Sequence, residues 1–141
     1  TKTMKLFLDT NIILDFFLAR EPYAETVLNL FQTAQEKNIP LYISASSATD
    51  IFYLLHKNLK DKDQALAVFG DLLKIVHIAD VLATTIFEAY NLGWTDFEDA
   101  VQYCAAQNIT SDSIITRNKK DFSFSSIPVY TPEDFLNQII S

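Results

Sequence analysis

The chain has 141 residues, of which 49% are hydrophobic and 21% charged, and its formal net charge is -7. This length and apolar content predict a single domain, residues 1–141, with one core. The acidic balance argues against a nucleic-acid binder that relies on a broad basic surface, because such binding depends on Lys and Arg displacing counterions from phosphates. No apolar run is long enough for a membrane span, so we expect a soluble, cytoplasmic protein. Cys104, the single cysteine, excludes an internal disulfide and a thiolate-clustered metal site.

Apolar periodicity predicts strands that alternate with helices along the chain. The predicted elements are a strand at 5–8, helices at about 12–17 and from Pro22 to about 38, a strand at 41–43, helices at about 44–59 and 61–73, a strand at 74–78, helices at about 81–90 and 96–107, strands at 113–116 and 128–130, and a closing helix from Pro132. Because parallel strands need crossover connections, this order predicts a three-layer α/β/α fold with a short central parallel sheet. The polar tract 118–126 is predicted to be a loop beside the active site.

Asp9 is the first candidate for chemistry, because it directly follows the apolar strand at 5–8 and precedes a helix. In an open parallel sheet, ligands gather outside the carboxyl ends of the strands. The alternative is that Asp9 only caps the next helix or forms an Asx-turn. Position alone leaves both interpretations open.

The segment around Asp96 and Asp99 is the densest group of acids. These two residues are three positions apart and project from one side of a helix, whereas Glu98 points about 100° away from its neighbour. Acids in a first turn also complement the helix dipole without any further function. Asp99, however, shares a strip with Tyr103, which is too apolar for an ordinary solvent face.

Two further segments supply polar candidates. Asp50, near the start of the third helix, is by itself a solvated carboxylate unless other acids converge on it. The strand end at 114–116 is followed by three cations, an amide and an acid, namely Arg117, Lys119, Lys120, Asn118 and Asp121. This mixture suits phosphate contact, although the two lysines are also typical of a solvated basic turn. The aromatics, including Trp94 and Phe97, are expected in the core.

Clustered carboxylates without cysteine indicate a hard, oxygen-liganded metal such as Mg²⁺ or Mn²⁺. Such ions lower the pKa of a bound water and polarise a phosphodiester. Phosphodiester hydrolysis is the reaction class that follows. The two histidines, His56 and His77, are interpreted as structural, and neither glycine belongs to a phosphate-binding loop.

Four motifs in order resemble a PIN domain over nearly the whole chain. Residues 6–12 are similar to the opening motif, in which the Asp (here Asp9) is a metal ligand and the Asn (Asn11) supports the site. Residues 44–51 resemble the second motif, with Asp50 where most relatives carry Glu. Residues 96–100 resemble the third, with Asp99 as its principal acid and Asp96 as an accessory one. Residues 114–122 resemble the fourth, with Asn118 where many members have Asp.

The resemblance implies a metal-dependent endoribonuclease for single-stranded RNA, commonly the VapC-type toxin of a toxin–antitoxin pair and commonly a homodimer. It implies 5′-phosphate and 3′-hydroxyl products. The implied catalytic residues are Asp9, Asp50 and Asp99; Asp96 and Asn118 would join them in holding Mg²⁺ or Mn²⁺; and Asn11, Thr116, Arg117 and Asp121 would bind substrate. Arg117 is expected to grip phosphate.

Two alternatives remain. A non-catalytic PIN scaffold that binds RNA or a protein partner is suggested by the departures at Asp50 and Asn118. A phosphoryl-transfer domain with Asp9 as nucleophile is disfavoured, because Asn11 stands where such enzymes often carry a second acid.

Overall fold

The computed structural model describes residues 4–140, and within them a five-stranded parallel sheet lies between layers of helices. The strands are β1 (Leu6–Leu8), β2 (Leu41–Ser44), β3 (His77–Ala79), β4 (Ser113–Ile115) and β5 (Val129–Tyr130). The helices are α1 (Thr10–Phe17), α2 (Ala24–Glu36), α3 (Ala45–Leu59), α4 (Lys62–Ile75), α5 (Ala83–Leu92), α6 (Phe97–Asn108) and α7 (Pro132–Ile140), with a 3₁₀ turn at Lys119–Phe122. The predicted α/β class and the parallel sheet are confirmed.

The strand order is β3-β2-β1-β4-β5. From β1 the chain adds β2 and β3 on one side, and it then returns to add β4 and β5 on the other side. The order therefore reverses between β1 and β4, and the carboxyl ends of these two strands diverge into the crevice where open α/β sheets bind ligands. Asp9 follows β1 and Thr116 follows β4, so both lie at this point.

Alternation along β1 divides the core between the two faces of the sheet. Leu6 and Leu8 pack in the cluster that includes the inner faces of α1, α2, α3 and α4, whereas Phe7 packs on the opposite face with Tyr103 and Ala106 of α6. Residues 100–106 of α6 are all buried, because this helix lies between the sheet and α5. Full burial of Phe7 alone stabilises the fold by about 2 kcal/mol.

Two predicted boundaries are wrong. Lys74 and Ile75 were predicted in a strand, but they are the last two residues of α4. The Val76 N–H still donates to the carbonyl of the buried Leu72, so the helical hydrogen bonding continues to this point. Pro22 was predicted in the first turn of a helix, but it lies in a turn, and α2 begins two residues later. A strongly apolar run fits a strand and a buried helix equally well.

Within the described residues, the helices are too short or too polar to cross a membrane.

Candidate active site

Asp9 is nearly buried, with 6% of its surface exposed, at the carboxyl end of β1. Although it occupies the N-cap position of α1, its carboxylate accepts hydrogen bonds from the Thr116 hydroxyl (2.9 Å) and from the side-chain amide of Gln102 (3.2 Å). Burial raises the pKa of Asp9, and these two hydrogen bonds act against the rise. The protein therefore holds this carboxylate in place with neutral donors, which is typical of a ligand or catalytic group rather than a helix cap.

Gln102 connects three elements beneath the site. It lies in α6 with 1% of its surface exposed, and its carbonyl oxygen accepts from the Thr10 N–H (3.3 Å) and the Ser47 hydroxyl (3.4 Å). The same amide donates to Asp9. Sequence analysis missed Gln102. The available signal was a polar residue three positions after Asp99 on a helix strip that is otherwise apolar.

An open cleft of about 400 Å³ lies above Asp9, between the N-terminal turns of α1 and α6 and the second and third turns of α3. Among the described residues, six acids line it: Asp9, Asp50, Asp96, Glu98, Asp99 and Asp121. Asn11 and Gln102 also line the cleft. The structure thus brings together acids that are far apart in the sequence. They lie directly after β1, near the start of α3, at the start of α6 and in the 3₁₀ turn.

Asp99 carries the strongest sign of electrostatic crowding. Burial raises its pKa to about 7, and the neighbouring charges of Asp96 and Asp9 add to the rise. Asp96 itself accepts a hydrogen bond from the Asp99 N–H (3.0 Å), so it caps α6 and also lines the cleft. Asp96 therefore stabilises the start of α6, as first-turn acids commonly do, and it also belongs to the candidate site.

Glu98 lines the cleft, although it was not among the predicted site residues. Its pKa is also raised to about 7, by burial and then by a hydrogen bond with Asp50 and repulsion from that carboxylate. Glu98 precedes Gln102 by one helical turn, so both lie on the side of α6 that faces α3. The sequence argument compared Glu98 only with its neighbours on α6 and did not include Asp50 across the cleft.

Asn118 and Asp121 differ in their position relative to the cleft. Asn118 is not among the residues that line the cleft; its amide donates to the Asp121 carboxylate (3.1 Å), and its backbone N–H donates to the Thr116 hydroxyl (3.2 Å). Asp121 does line the cleft, and its charge raises the pKa of Asp99. The 3₁₀ turn places position 121 over the site, so the acid comes three residues later than the motif indicates.

Arg117 is not among the residues that line the acidic cleft; it lines a neighbouring cavity with Asp15 and Tyr23. The phosphate contact predicted for it stays a prediction. Its guanidinium Nε is 2.7 Å from the fully buried carboxylate of Asp15, and its central carbon lies 4.2 Å from the centre of the Tyr23 ring. Arg20 approaches the other Asp15 oxygen at 3.6 Å and donates to Asn11 (3.5 Å). The buried acid of α1 requires a cation, and Arg117 is used there.

The donor set fits a hard divalent cation in its chemistry. Carboxylates with pKa values raised by mutual repulsion and burial are stabilised in their charged form by such an ion. Among residues 4–140, no three acids, histidines or cysteines already stand where they could hold a metal ion together. Asp9, Asp50, Glu98 and Asp99 nevertheless line the same open cleft.

The comparisons with known proteins agree with this architecture. Residues 5–120 match the family model described as PIN domain. The chain is 27% identical over 136 residues to Ribonuclease VapC1 from Aquifex aeolicus (strain VF5), and the alignment covers 93% of this chain and 92% of that protein.

Two solved structures illustrate the likeness of fold. VapBC-1 from nontypeable Haemophilus influenzae matches with a TM-score of 0.71 at 16% identity, over 92% of this chain and 99% of that chain. VapBC2 from Rickettsia felis, bound to a DNA fragment from its promoter, matches with a TM-score of 0.67 at 20% identity, over 91% and 98%. At such identities the match shows the fold alone, whereas the family model spans most of the chain. This chain therefore belongs to the PIN-domain family.

Proposed function

We propose that this chain is a metal-dependent endoribonuclease that hydrolyses phosphodiester bonds of single-stranded RNA. The observation that carries the proposal is the acidic cleft at the β1–β4 switch point, where the pKa values of Asp99 and Glu98 are raised to about 7 next to the buried Asp9. Such perturbed groups are enriched at functional sites. The similarity to a ribonuclease of the same length supports the choice of RNA.

The residues proposed to hold one or two Mg²⁺ or Mn²⁺ ions are Asp9 and Asp99 at the centre of the cleft, with Asp50, Glu98, Asp96 and Asp121 around them. Glu98 compensates for the short side chain of Asp50, which it contacts directly. When bound, such an ion supplies a water of lowered pKa and neutralises charge on the phosphate. Oxygen-only donors favour these hard cations over zinc.

The protein's own contribution is orientation and proton transfer. Thr116 and Gln102 fix both oxygens of Asp9, so this carboxylate does not have to reorganise when the substrate arrives. The pKa values of Asp99 and Glu98 are about 7 in the metal-free site, and a divalent ion bound beside them would lower these values and favour the charged forms, which can accept a hydrogen bond from an attacking water. In the proposed hydrolysis, the water oxygen bonds to phosphorus, the bond from phosphorus to O3′ breaks, and O3′ takes up a proton. The products carry 5′-phosphate and 3′-hydroxyl ends.

The site charge makes substrate binding depend on the metal. Six carboxylates in the described part of the cleft repel a polyanion, and the whole chain carries a formal charge of -7. RNA affinity without a divalent ion should therefore be low, and it should rise when the ions neutralise the cleft.

The decisive experiment is cleavage of a labelled single-stranded RNA by the purified protein with Mn²⁺, Mg²⁺ or EDTA. Asp9→Asn and Asp99→Asn are run beside the parent, with Asp71→Asn as the matched control, since Asp71 is an exposed acid of α4. We expect metal-dependent cleavage by the parent and the control, and a loss of at least about 100-fold in the two cleft variants. Equal cleavage by the parent and both cleft variants would show that the assignment is wrong. RNA and metal binding without turnover would favour the non-catalytic scaffold.

We further propose that the protein is the toxin of a toxin–antitoxin pair and forms homodimers. Several structures of similar fold are toxin–antitoxin complexes, including one from Klebsiella pneumoniae. The outer face of α5 exposes Ile86, Phe87 and Tyr90, an apolar surface that a partner could cover. Light scattering of the purified chain tests the dimer, and rescue of host growth by the gene adjacent to its own tests the antitoxin.

A further inference from the structure

A second cavity of about 240 Å³ continues from the acidic cleft and shares Asp96, Asp99 and Asp121 with it. The lining of this cavity differs in character from that of the cleft, because it also includes Trp94, Lys120 and Phe124. A strand of RNA whose scissile phosphate lies in the cleft has to continue along the surface in some direction. This cavity is the direction in which the acidic lining gives way to a cation and an aromatic ring.

Lys120 is the cation that the structure leaves for this groove. The three basic residues of the segment have separate environments: Arg117 pairs with Asp15, Lys119 lies 3.3 Å from Asp134, and Lys120 lines the cavity. Within residues 4–140, Lys120 is the one basic side chain that lines either the cleft or its continuation. A single ammonium group beside a metal-binding cleft suits a phosphate that the metals do not reach.

Phe124 has 82% of its surface exposed, the highest value among the large hydrophobic side chains of the described residues. Trp94 behaves as expected for a core residue, since its ring stacks on Tyr103 at 4.9 Å and meets Phe122 edge-on. Phe122 is buried and anchors the end of the 3₁₀ turn, which leaves Phe124 two positions later on the outer surface. An exposed aromatic face on the rim of a charged groove is the feature on which single-stranded nucleic acids stack their bases.

We propose that Lys120 and Phe124 form a nucleotide subsite next to the acidic cleft, in which Lys120 contacts a phosphate flanking the scissile bond and Phe124 stacks on the adjacent base. The inference rests on the proposed ribonuclease function and adds a reason for a single-stranded substrate. A base within a duplex has both faces covered by its neighbours, whereas an unpaired base can stack on a side chain. Stacking tolerates any base, so this subsite gives strand preference with little sequence preference.

The test measures binding and cleavage separately. Binding of a fluorescent single-stranded RNA of mixed sequence is measured with all cleft acids intact and with Ca²⁺ in place of Mg²⁺, and gel electrophoresis checks that the RNA stays intact. Cleavage is measured separately with Mg²⁺ or Mn²⁺. The subsite variants are Phe124→Ala, Phe124→Trp, Lys120→Gln and Lys120→Arg. The matched controls are Leu66→Ala, an exposed apolar residue on α4, and Lys119→Gln. All four substituted positions are on the surface, and circular dichroism checks the folding of the six variants.

We expect Phe124→Ala to weaken binding by about 5- to 100-fold and Phe124→Trp to retain it. Lys120→Gln should lower the slope of log K against log salt by about 0.7, the value for one contact to a single strand, and Lys120→Arg should restore it. RNA with an abasic residue at one position should bind the parent as weakly as intact RNA binds Phe124→Ala. Combining the abasic RNA with Phe124→Ala should weaken binding little more than either change alone, because both changes remove the same stacking contact.

The outcomes separate the subsite from the nuclease. If Phe124→Ala and Lys120→Gln bind like Leu66→Ala and Lys119→Gln, the subsite is wrong, even if the parent cleaves RNA. If the parent does not cleave but its RNA binding depends on Phe124 and Lys120 as described, the subsite holds and the ribonuclease proposal fails. A parent that binds no single-stranded RNA would overturn the subsite.

Discussion

The hydroxyl of Thr116 donates to Asp9 over 2.9 Å and joins the carboxyl ends of β4 and β1, although the two residues are 107 positions apart in the sequence. Both side chains are buried, and the Thr116 oxygen also accepts the backbone N–H of Asn118. The substrate contact predicted for Thr116 is therefore not supported by its position. Thr116 is a positioning residue that acts through Asp9 and orients the start of the 3₁₀ turn.

Replacing Thr116 by Val keeps the shape of the side chain and removes the hydrogen bond to Asp9. That bond lowers the pKa of Asp9, so its loss raises this pKa further and leaves less of the carboxylate ionised at a given pH. We expect the acid limb of the pH–activity profile to move to higher pH and the metal affinity to fall by about 10- to 100-fold. Calorimetric titration with Mn²⁺ measures the affinity. Thr84→Val, at an exposed position of α5, is the control, and an unchanged profile in Thr116→Val would contradict the assigned role.

Arg117→Gln should affect stability more than RNA contact. The change leaves the Asp15 carboxylate buried with only Arg20 nearby, and burial already raises the pKa of Asp15 against the influence of both arginines. Removal of one partner of a buried pair costs about 3 kcal/mol of unfolding free energy, which urea denaturation measures. The double variant Asp15→Asn with Arg117→Gln should recover most of this loss. A salt slope of RNA binding that falls in Arg117→Gln would instead return Arg117 to the phosphate site.

The metal-free protein should lose stability as pH rises through neutrality. Asp99 has an ordinary pKa of 3.8 and a value of about 7 in the fold, so folding favours its protonated form. This contribution is present below about pH 4 and is lost as pH rises through about 7. In EDTA, the unfolding free energy of the parent should therefore fall relative to that of Asp99→Asn between about pH 5 and 8.

Divalent ions provide the second half of this measurement. Mg²⁺ or Mn²⁺ should restore the stability of the parent at pH 8, because the bound ion favours the charged carboxylates, and it should restore the variant much less. Urea denaturation of both proteins at several pH values gives both comparisons. A difference between parent and variant that does not change with pH would show that Asp99 is not under electrostatic strain.

Asp121 should matter more for metal binding than Asn118. Asp121 lines the cleft, whereas Asn118 orients it through a 3.1 Å hydrogen bond. We expect Asp121→Asn to lower Mn²⁺ affinity by about tenfold or more, and Asn118→Ala to lower it less, within the range for residues that support a ligand. The opposite ranking of the two variants would show that Asn118, and not Asp121, is the metal ligand of this segment.

Local sequence determined most elements of this fold. The alternation of apolar strands with amphipathic helices fixed the α/β class, and polar residues directly after β1 and at the start of α6 identified Asp9 and Asp99 as candidates. These signals are short-range, because strand ends, helix caps and first-turn acids depend on neighbouring residues. Two boundaries were exceptions. Apolar residues between α4 and β3 satisfy both periodicities, and Pro22 suits a turn as well as the first turn of a helix.

Tertiary structure decided which polar residues face one another. Glu98 belongs to the site because Asp50 of another helix lies opposite it. Gln102 belongs to it because β1 ends above α6 and places Asp9 within hydrogen-bond distance. Arg117 does not line the cleft, because it pairs with the buried carboxylate of Asp15 in α1. The pairing of charges across a fold depends on distances between elements that no local pattern encodes, and the cost of leaving a buried charge unpaired makes that pairing decisive. The sequence thus determined where acids stand along the chain, and packing determined which of them share a site.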